Sequence, residues 1–176
     1  MKKVQYVVIA VLLLGLVSIN AYAQQQAGDT ELGFSGQGYL SHTSVSGQVS
    51  VQGDYGYYIS TNQYVGASVG PMIGFGGGTS GTLFYMGEYR YLLGSRRDAT
   101  VWPFVGVGVG AMTRFGENGS TSAVLRPQAG LKYFVSPRNA FEVAYTMPTS
   151  LRRGIDGFGQ RTYSLFTFGF KHLLGN

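Results

Sequence analysis

The stretch from Arg161 to Leu174 limits the fold more than any other part of this sequence. Phe166, Phe168 and Phe170 fall on one face at the period of two that defines a β-strand. Only 12% of the chain is charged, and no amphipathic helix is available to cover an aromatic face, so lipid is the simpler cover. Because backbone groups in lipid must all be paired, we expect this stretch to close a β-barrel by pairing with the first strand.

Residues 1–23 have the three parts of a secretory signal peptide. Lys2 and Lys3 precede an apolar run from Val7 to Val17, and Ala21-Tyr-Ala23 has the small residues of a cleavage site. We expect cleavage after Ala23, which leaves residues 24–176 as one barrel domain with a short disordered lead-in over 24–29. An uncleaved anchor helix is the less favoured alternative, because the apolar run is short.

The rest of the chain alternates apolar and polar residues, with 28 glycines interspersed. The alternation predicts an all-β fold, a closed eight-stranded antiparallel up-and-down barrel with apolar side chains outside and polar or glycine positions inside. The eight strands are predicted within residues 31–40, 48–57, 65–74, 82–91, 102–112, 124–134, 141–147 and 161–174. Pro71 falls inside the third strand and is expected at a bulge or near the strand end, because proline cannot donate to a ladder. A long connection is predicted from Pro148 to Gln160.

Composition and spacing exclude several kinds of site. The sequence has no Cys, so it carries no disulfide, thiolate metal ligand or lipid-modified cysteine. Gly106, Gly108 and Gly110 are spaced as in a phosphate loop, but no helix follows them; they predict a smooth patch of barrel interior instead. The net charge of +5 includes two leader lysines and does not indicate nucleic-acid binding. No cofactor and no metal site are predicted.

Seven charged residues are predicted to face the lumen. They are Glu31, Glu88, Arg90, Arg126, Lys132, Glu142 and Lys171. Lys132 and Glu142 are equidistant from Pro137 and should lie opposite each other in a hairpin, whereas Glu31 and Lys171 can meet only if the barrel closes. A structural network is favoured over a cation or proton path, because eight strands enclose little more than their own side chains and an unpaired buried charge is costly.

Aromatic residues near three short turns predict an interfacial girdle. They are Tyr57, Tyr58, Tyr64, Tyr91, Trp102, Tyr133, Phe134 and Phe141. Such girdles lie at the membrane–water interface. The turns at 60–63, 93–100 and 136–139 should then face the periplasm, and the loops at 41–46, 76–81, 113–122 and 148–160 the outside.

Several longer motifs carry a resemblance that covers residues 24–176. They are Tyr57-Tyr-Ile-Ser-Thr-Asn-Gln-Tyr-Val-Gly-Ala-Ser68, the inward Arg90 before a turn, Pro103-Phe-Val-Gly-Val-Gly108, and Gly130-Leu-Lys-Tyr-Phe134 before Ser-Pro-Arg-Asn. With these the chain resembles the small eight-stranded outer-membrane β-barrels of the OmpA/OmpX type, found in Gram-negative envelopes. One departure is that Phe170 is followed by Lys-His-Leu-Leu-Gly-Asn, whereas the family's assembly signal usually ends on an aromatic residue.

The resemblance implies a porin-like envelope protein with a structural or surface-interaction role, such as envelope integrity, adhesion or resistance, and no catalytic residues. The implied partners are outer-membrane lipids and lipopolysaccharide, the assembly machinery during biogenesis, and an unidentified extracellular ligand. Arg152, Arg153 and Arg161 are surface-loop cations that could contact phosphates, since guanidinium groups bind phosphate bidentately, although solvated loop charge is the simpler interpretation.

Two alternatives remain open. His42 and Ser44 suggest a lipid A-modifying outer-membrane enzyme, because barrel deacylases and palmitoyltransferases use such residues; the loop lacks the carboxylate that an activated serine needs. A soluble periplasmic lipocalin-like barrel is the other alternative. It requires Val49, Val51, Val105, Val107, Phe166 and Phe168 to face inward.

Overall fold

Nine antiparallel β-strands make up most of this computed structural model, which describes residues 25–40, 47–75, 80–94, 99–116, 119–151 and 165–175. The strands are β1 (Thr30–Leu40), β2 (Gly47–Ser60), β3 (Gln63–Phe75), β4 (Ser80–Leu92), β5 (Val101–Arg114), β6 (Ser120–Phe134), β7 (Asn139–Thr146), β8 (Thr149–Ser150) and β9 (Leu165–Leu174). Each long strand follows the alternation of apolar and polar residues that the sequence predicts.

The sheet closes on itself through the first and last strands. Neighbouring strands along the chain pair from β1 to β6, and β9 pairs with both β7 and β1. The β1–β9 register runs from Thr30 opposite Leu174 to Gln37 opposite Thr167. The predicted closed barrel is therefore confirmed, and it has eight barrel strands because β7 and β8 together form one of them. No edge strand remains among the described residues.

Strands β7 and β8 are two parts of one barrel strand. Gln128 pairs with Thr146 and Leu125 pairs with Thr149, so β8 continues the β6–β7 register beyond Met147. The ladder is interrupted where Pro127 and Pro148 lie, because neither residue has an amide hydrogen. Met147 still donates to the Pro127 carbonyl oxygen at 3.0 Å. The prediction of a connection beginning at Pro148 was therefore wrong, since this strand continues to Ser150.

Pro71 lies in the middle of β3, at a gap in one ladder and not at a register shift. The β2–β3 pairing stops at Ser50–Met72 and resumes in the same register at Gly53–Val69. On the other side, Pro71 still lies opposite Leu83 of β4. The expectation of a bulge was wrong; the strand accommodates proline by omitting pairs in the β2–β3 ladder.

The apolar rows face outward. Val51 and Val105 are 56% and 45% exposed, and Phe166 and Phe168 are 60% and 61% exposed. Aromatic rings on β1, β7 and β9 pack on this outer wall, with Phe170 5.9 Å from Phe34 and 5.7 Å from Phe141 between ring centroids. Val49 and Val107 also face outward. These positions contradict the lipocalin-like alternative, which required all six tested side chains inside.

The segment from Gln25 to Asp29 packs against the β2–β3 turn. Gly28, at φ 99°, donates its amide to the Tyr58 carbonyl oxygen at 2.9 Å, and Tyr58 donates to the Asp29 carbonyl oxygen at 2.9 Å. Gln25 is buried and donates from Nε2 to the Thr61 carbonyl oxygen at 3.0 Å. The prediction of a disordered lead-in is wrong for these residues.

Several predictions concern residues outside the described ranges. These are the signal peptide over 1–23, the 41–46 loop with His42 and Ser44, and the loop cations Arg152, Arg153 and Arg161. Within the described ranges, no helix is long and apolar enough to span a membrane.

Candidate functional site: a charge-neutral network inside the barrel

The barrel interior has three layers along its axis. One end of the barrel carries the short turns at 60–63 and 136–139 and is called the short-turn end. At this end lies an aromatic layer, which contains Tyr58, Tyr64, Leu92, Trp102, Phe104, Phe134, Ala140, Ala144 and Leu173. Near the opposite end lies a methionine layer of Phe84, Met86, Met112 and Val124. Charged side chains fill the space between them and form a charged layer.

The first part of the charged layer joins β1 and β6 across the lumen. Lys132 Nζ donates to Glu31 Oε2 at 2.6 Å and to the Tyr58 hydroxyl oxygen at 2.7 Å. The Tyr58 hydroxyl in turn donates to Glu31 Oε2 at 2.8 Å. The ammonium group also lies 5.5 Å from the Tyr58 ring centroid and 5.8 Å from that of Tyr64, within cation–π range. The aromatic layer thus supports this ion pair directly.

The second part centres on Glu88. Its carboxylate accepts hydrogen bonds from Arg90 at 3.0 Å, Arg126 at 3.2 Å and Gln128 at 3.0 Å. Arg90 also donates to Glu142 Oε2 at 2.6 Å, which extends the network from β4 to β7. Charge-assisted hydrogen bonds of this kind are stronger than neutral ones.

Further contacts hold the two arginines of this part. Arg126 Nη1 donates to Gln52 Oε1 at 3.1 Å, which links β6 to β2. The Arg126 guanidinium lies 5.5 Å from the Phe84 ring centroid, and that of Arg90 lies 5.2 Å from the Phe104 centroid. Both arginines therefore bridge the charged layer to an apolar layer.

The third part is the pair Asp54–Lys171. Lys171 Nζ donates to Asp54 Oδ2 at 2.7 Å, and Ser35 Oγ donates to the same oxygen at 3.0 Å. Gly33 of β1 lies between them, because it pairs with Asp54 on one side and Lys171 on the other. The two charged side chains meet above a residue that has no side chain of its own.

Glycines of β5 likewise lie between charged or polar residues of the two neighbouring strands. Glu88 and Arg126 both pair with Gly108, and Arg90 and Gln128 both pair with Gly106. A Cβ atom at Gly106 would lie 3.0 Å from Arg90 Cγ and 3.2 Å from Gln128 Nε2. The glycine run gives the side chains of β4 and β6 the room to meet over β5, which is the role in the barrel interior that the sequence predicts.

The charged layer is balanced. Its five ion pairs use four cations, Arg90, Arg126, Lys132 and Lys171, and four carboxylates, Glu31, Asp54, Glu88 and Glu142. All seven charged residues predicted for the lumen are buried inside the barrel. Asp54 was missed, although its place in the alternation of β2 and the excess of one positive charge among the other seven both indicate it.

Two predicted partners differ from the observed ones. Lys132 and Glu142 do lie opposite each other in the β6–β7 ladder. Their ion pairs, however, run to Glu31 and Arg90, respectively. Glu31 and Lys171 are brought to the same region by barrel closure, but Lys171 pairs with Asp54. Two charged residues that are neighbours in a ladder thus form their ion pairs with residues of other strands, across the lumen.

Half of the predicted girdle lies inside the barrel. Tyr58, Tyr64, Trp102 and Phe134 are at most 1% exposed and belong to the aromatic layer, so the girdle prediction was wrong for them. Tyr57, Tyr91 and Phe141 face outward, and Tyr133 is half-buried. Alternation explains the difference, because Tyr58 follows the outward Tyr57 and must point inward.

The site is suited to filling the lumen. No side chain of the five ion pairs is more than 6% exposed. The gap bounded by Tyr58, Tyr64, Arg90, Phe104 and Glu142, among others, leaves no room for a water molecule. Within the described ranges there is also no cluster of three metal-ligating side chains. His172 Nδ1 lies 2.8 Å from Asn139 Oδ1 at the short-turn end, far along the chain from the loop with Ser44.

Comparison with known proteins identifies the architecture only. No protein-family model and no curated protein matches the sequence. Among solved structures, the chain is similar to the N-terminal β-barrel domain of Pseudomonas aeruginosa OprF, with a TM-score of 0.64, 13% identity, and coverage of 85% of this chain and 100% of that one.

Two further barrels are similar. Neisserial surface protein A has a TM-score of 0.61 and 13% identity over 85% of this chain and 99% of its own. The outer membrane protein OprG of Pseudomonas aeruginosa has a TM-score of 0.57 and 15% identity over 90% of this chain and 100% of its own. At such identities the similarity shows the fold alone, a small β-barrel of the kind found in outer-membrane proteins.

Proposed function

We propose that this chain is an outer-membrane β-barrel protein of the OmpA/OmpX type in a Gram-negative envelope, with a structural or surface-interaction role and a lumen that conducts no solute. One observation carries the proposal. Apolar rows cover the outside of a barrel that β1 and β9 close, while a neutral ion network fills the inside. Such a surface is stable in acyl chains, and such an interior is not a pore.

The envelope location follows from the same surface together with the leader. Exposed valine and phenylalanine side chains on the described strands would aggregate in water, whereas residues 1–23 provide a route for export. Outer-membrane lipids and lipopolysaccharide are then the surrounding partners. The assembly machinery would act on the chain during insertion.

The surface-interaction role is assigned to the connections at the end opposite the short turns. Residues 60–63 and 136–139 form short turns at one end. The longest connection between strands, 151–164, leaves from the opposite end after β8 and includes Arg152, Arg153 and Arg161. A rigid barrel with variable loops is the usual arrangement for presenting a binding surface. We place the extracellular ligand there, and assign no catalytic step to the chain.

Fractionation with gel mobility tests the location. The chain expressed with its leader should appear in the outer-membrane fraction, processed after Ala23, and should shift in apparent mass when the sample is boiled. Recovery in the soluble periplasmic fraction, with the same mobility before and after boiling, would contradict the proposal.

Conductance tests the closed lumen. Purified protein in a planar phosphatidylcholine bilayer should give no steady single-channel current, because Arg90, Lys132 and their carboxylate partners occupy the barrel cross-section. The control is a variant with Arg90→Ala and Glu142→Ala, which removes two of the five ion pairs and much of the filling volume and should increase ion leakage. A steady current through the unmodified protein would refute a closed lumen.

A further inference from the structure

We infer that the lumen binds one soft monovalent metal ion, Cu(I), at its loop end, through the thioether sulfur atoms of Met72 and Met112. The loop end is the end of the barrel opposite the short-turn end. Both residues line a cavity of about 60 Å³ beside the methionine layer. Such a site needs the closed barrel, and it does not depend on the proposed envelope location.

The two methionines lie on the strands either side of β4. Met72 on β3 pairs with Thr82 of β4, and Met112 on β5 pairs with Phe84, the next inward residue of β4. Met72 is 9% exposed and Met112 is half-buried. Both side chains therefore reach the same cavity, which Phe84 also lines.

The size of the cavity limits the occupant to an ion or a few water molecules. Small-molecule sites in proteins have volumes of roughly 300–1,000 Å³, several times the volume available here. The space below is closed, because the ion pairs of the charged layer fill the lumen and the gap beside Arg90 and Glu142 has no room for water. An ion would therefore enter and leave by the loop end.

The donor atoms around the cavity select a soft ion. Besides the two sulfur atoms, the polar side chains that line it are Gln37, Gln48 and Ser150. No carboxylate or imidazole lines it among the described residues, which also hold no group of three His, Asp or Glu side chains able to bind a metal. Mg²⁺, Ca²⁺ and Zn²⁺ use such ligands, whereas thioether sulfur binds Cu(I).

Filling of space alone does not explain methionine at these two positions. The aromatic layer fills the short-turn end with aromatic rings and leucines such as Leu92, and it contains no methionine. Methionine is flexible and therefore specifies a packed core less well than leucine. Met86 is a methionine that does fill space: a Cβ atom at Gly108 would lie 3.0 Å from its Cε, so it lies over the β5 glycines and not on the cavity.

Polar groups beside Met72 fit a bound ion better than an apolar contact. Gln48 Nε2 donates to Met72 Sδ, so a polar group already approaches this sulfur atom. Ser50 lies opposite Met72 in one ladder and opposite Gln37 in the other, and its buried Oγ has no hydrogen-bond partner. A buried hydroxyl without a partner costs free energy, and a water molecule held by the ion would satisfy it. Rotation of the Gln48 amide would present its Oε1 to the ion as a further ligand.

One charge acts against a cation at this site. Arg114 lies on the inward face of β5, two residues beyond Met112, and is opposite Thr82 and Ser120. It is exposed, so water and salt screen much of its repulsion. Arg114→Gln should therefore tighten binding of the ion, and the gain in affinity should be larger at low salt than at high salt.

Titration of the full mature chain in detergent micelles with Ag(I), a redox-inert analogue of Cu(I), tests the site. Native mass spectrometry in a chloride-free buffer should show one bound Ag(I) per chain, and calorimetry measures its affinity. Met72→Leu and Met112→Leu should each weaken binding at least about tenfold, equivalent to 1.4 kcal/mol. Leucine has nearly the volume of methionine, so both variants should fold.

Two matched controls make the same substitution away from the cavity. Met86→Leu changes a methionine of the same layer, and Met147→Leu changes one that continues the outward row of Tyr145. Both variants should bind Ag(I) with the affinity of the unmodified protein. In ¹H–¹³C spectra of the unmodified protein, Ag(I) should shift the methyl signals of Met72 and Met112 and leave that of Met147 in place, which is a test that needs no variant.

Several results would each overturn the inference. They are no bound Ag(I), unchanged affinity in Met72→Leu or Met112→Leu, equal shifts of all methionine methyl signals, binding of Zn(II) as tight as that of Ag(I), and weaker binding by Arg114→Gln. Absence of bound Ag(I) would leave water as the occupant of the cavity. Zn(II) binding of equal strength would show that the donors are not the thioethers.

Discussion

Lys132 and Glu31 are separated by 101 residues, yet their charged groups lie 2.6 Å apart across the barrel lumen. The ladder neighbour of Lys132 is Glu142, which pairs with Arg90 instead. The first contact joins β6 to β1 and the second joins β4 to β7, so each links strands that are not neighbours in the sheet. The ion-pair network therefore stabilises the closed barrel as well as filling its interior.

Removing one member of this pair should destabilise the barrel strongly. Lys132→Met leaves the Glu31 carboxylate buried with only the Tyr58 hydroxyl as a donor, and losing one partner of a buried ion pair costs about 3–5 kcal/mol. The double variant Lys132→Met, Glu31→Gln removes both charges and should recover most of that loss. Urea unfolding of protein in phosphatidylcholine vesicles measures both free energies; equal values for the single and double variants would refute a coupled pair.

The pair Asp54–Lys171 should behave in the same way at the seam between the first and last strands. Asp54→Asn removes the carboxylate with which Lys171 forms its ion pair and should lower the free energy of unfolding by about 3 kcal/mol or more. Asp29→Asn is the matched control, because Asp29 lies outside the lumen and asparagine retains an oxygen that can accept from the Gln26 amide. It should change stability by no more than about 0.5 kcal/mol. Similar losses in the free energy of unfolding for the two variants would show that the Asp54–Lys171 ion pair does not stabilise the barrel.

The glycines on the inward and outward faces of β1 should respond in opposite ways to the same substitution. A Cβ atom at Gly33 would clash with the Lys171 side chain and lie 2.7 Å from the Phe170 carbonyl oxygen, so Gly33→Ala should cost about 1–3 kcal/mol. At Gly36, on the outward face, the nearest atom would be 3.5 Å away, and Gly36→Ala should be neutral or stabilising by up to about 1 kcal/mol. The measurement is again urea unfolding. If Gly36→Ala were destabilising and Gly33→Ala neutral, Gly33 would not be needed to leave space for the Asp54–Lys171 ion pair.

The fold could be predicted from the sequence because each side chain of a barrel strand faces either the lumen or the outside, and successive side chains alternate between the two. Val51 and Gln52 must lie on opposite faces, and a chain with few charges leaves only one choice of which faces lipid. The same rule placed Tyr58 and Tyr64 inside, next to the outward Tyr57 and Val65. The girdle prediction overlooked it by grouping aromatic residues by distance from a turn.

The ion-pair partners could not be predicted in this way. Register in a hairpin follows from the turn, which is why Lys132 and Glu142 were correctly placed as ladder neighbours. Contacts across the lumen depend on strand tilt and on the stagger of the whole barrel, which no single hairpin contains. Charge balance was the available signal for Asp54, since seven residues with four positive and three negative charges require one more acid.

Trp102 is the chain's single tryptophan, so its fluorescence distinguishes the aromatic layer from an interfacial girdle. It is 1% exposed and donates from Nε1 to the Ala99 carbonyl oxygen at 2.8 Å, within the short-turn end of the lumen. Its emission should therefore resist both brominated acyl chains in the vesicle and iodide in the buffer, because neither quencher reaches a buried indole. The control moves the probe outward with Trp102→Phe and Tyr91→Trp, since Tyr91 is 42% exposed on the outer face. Emission from this variant should be quenched by brominated lipid. If brominated lipid quenches Trp102 as strongly as a tryptophan at position 91, the indole faces the membrane and the aromatic layer is wrongly placed.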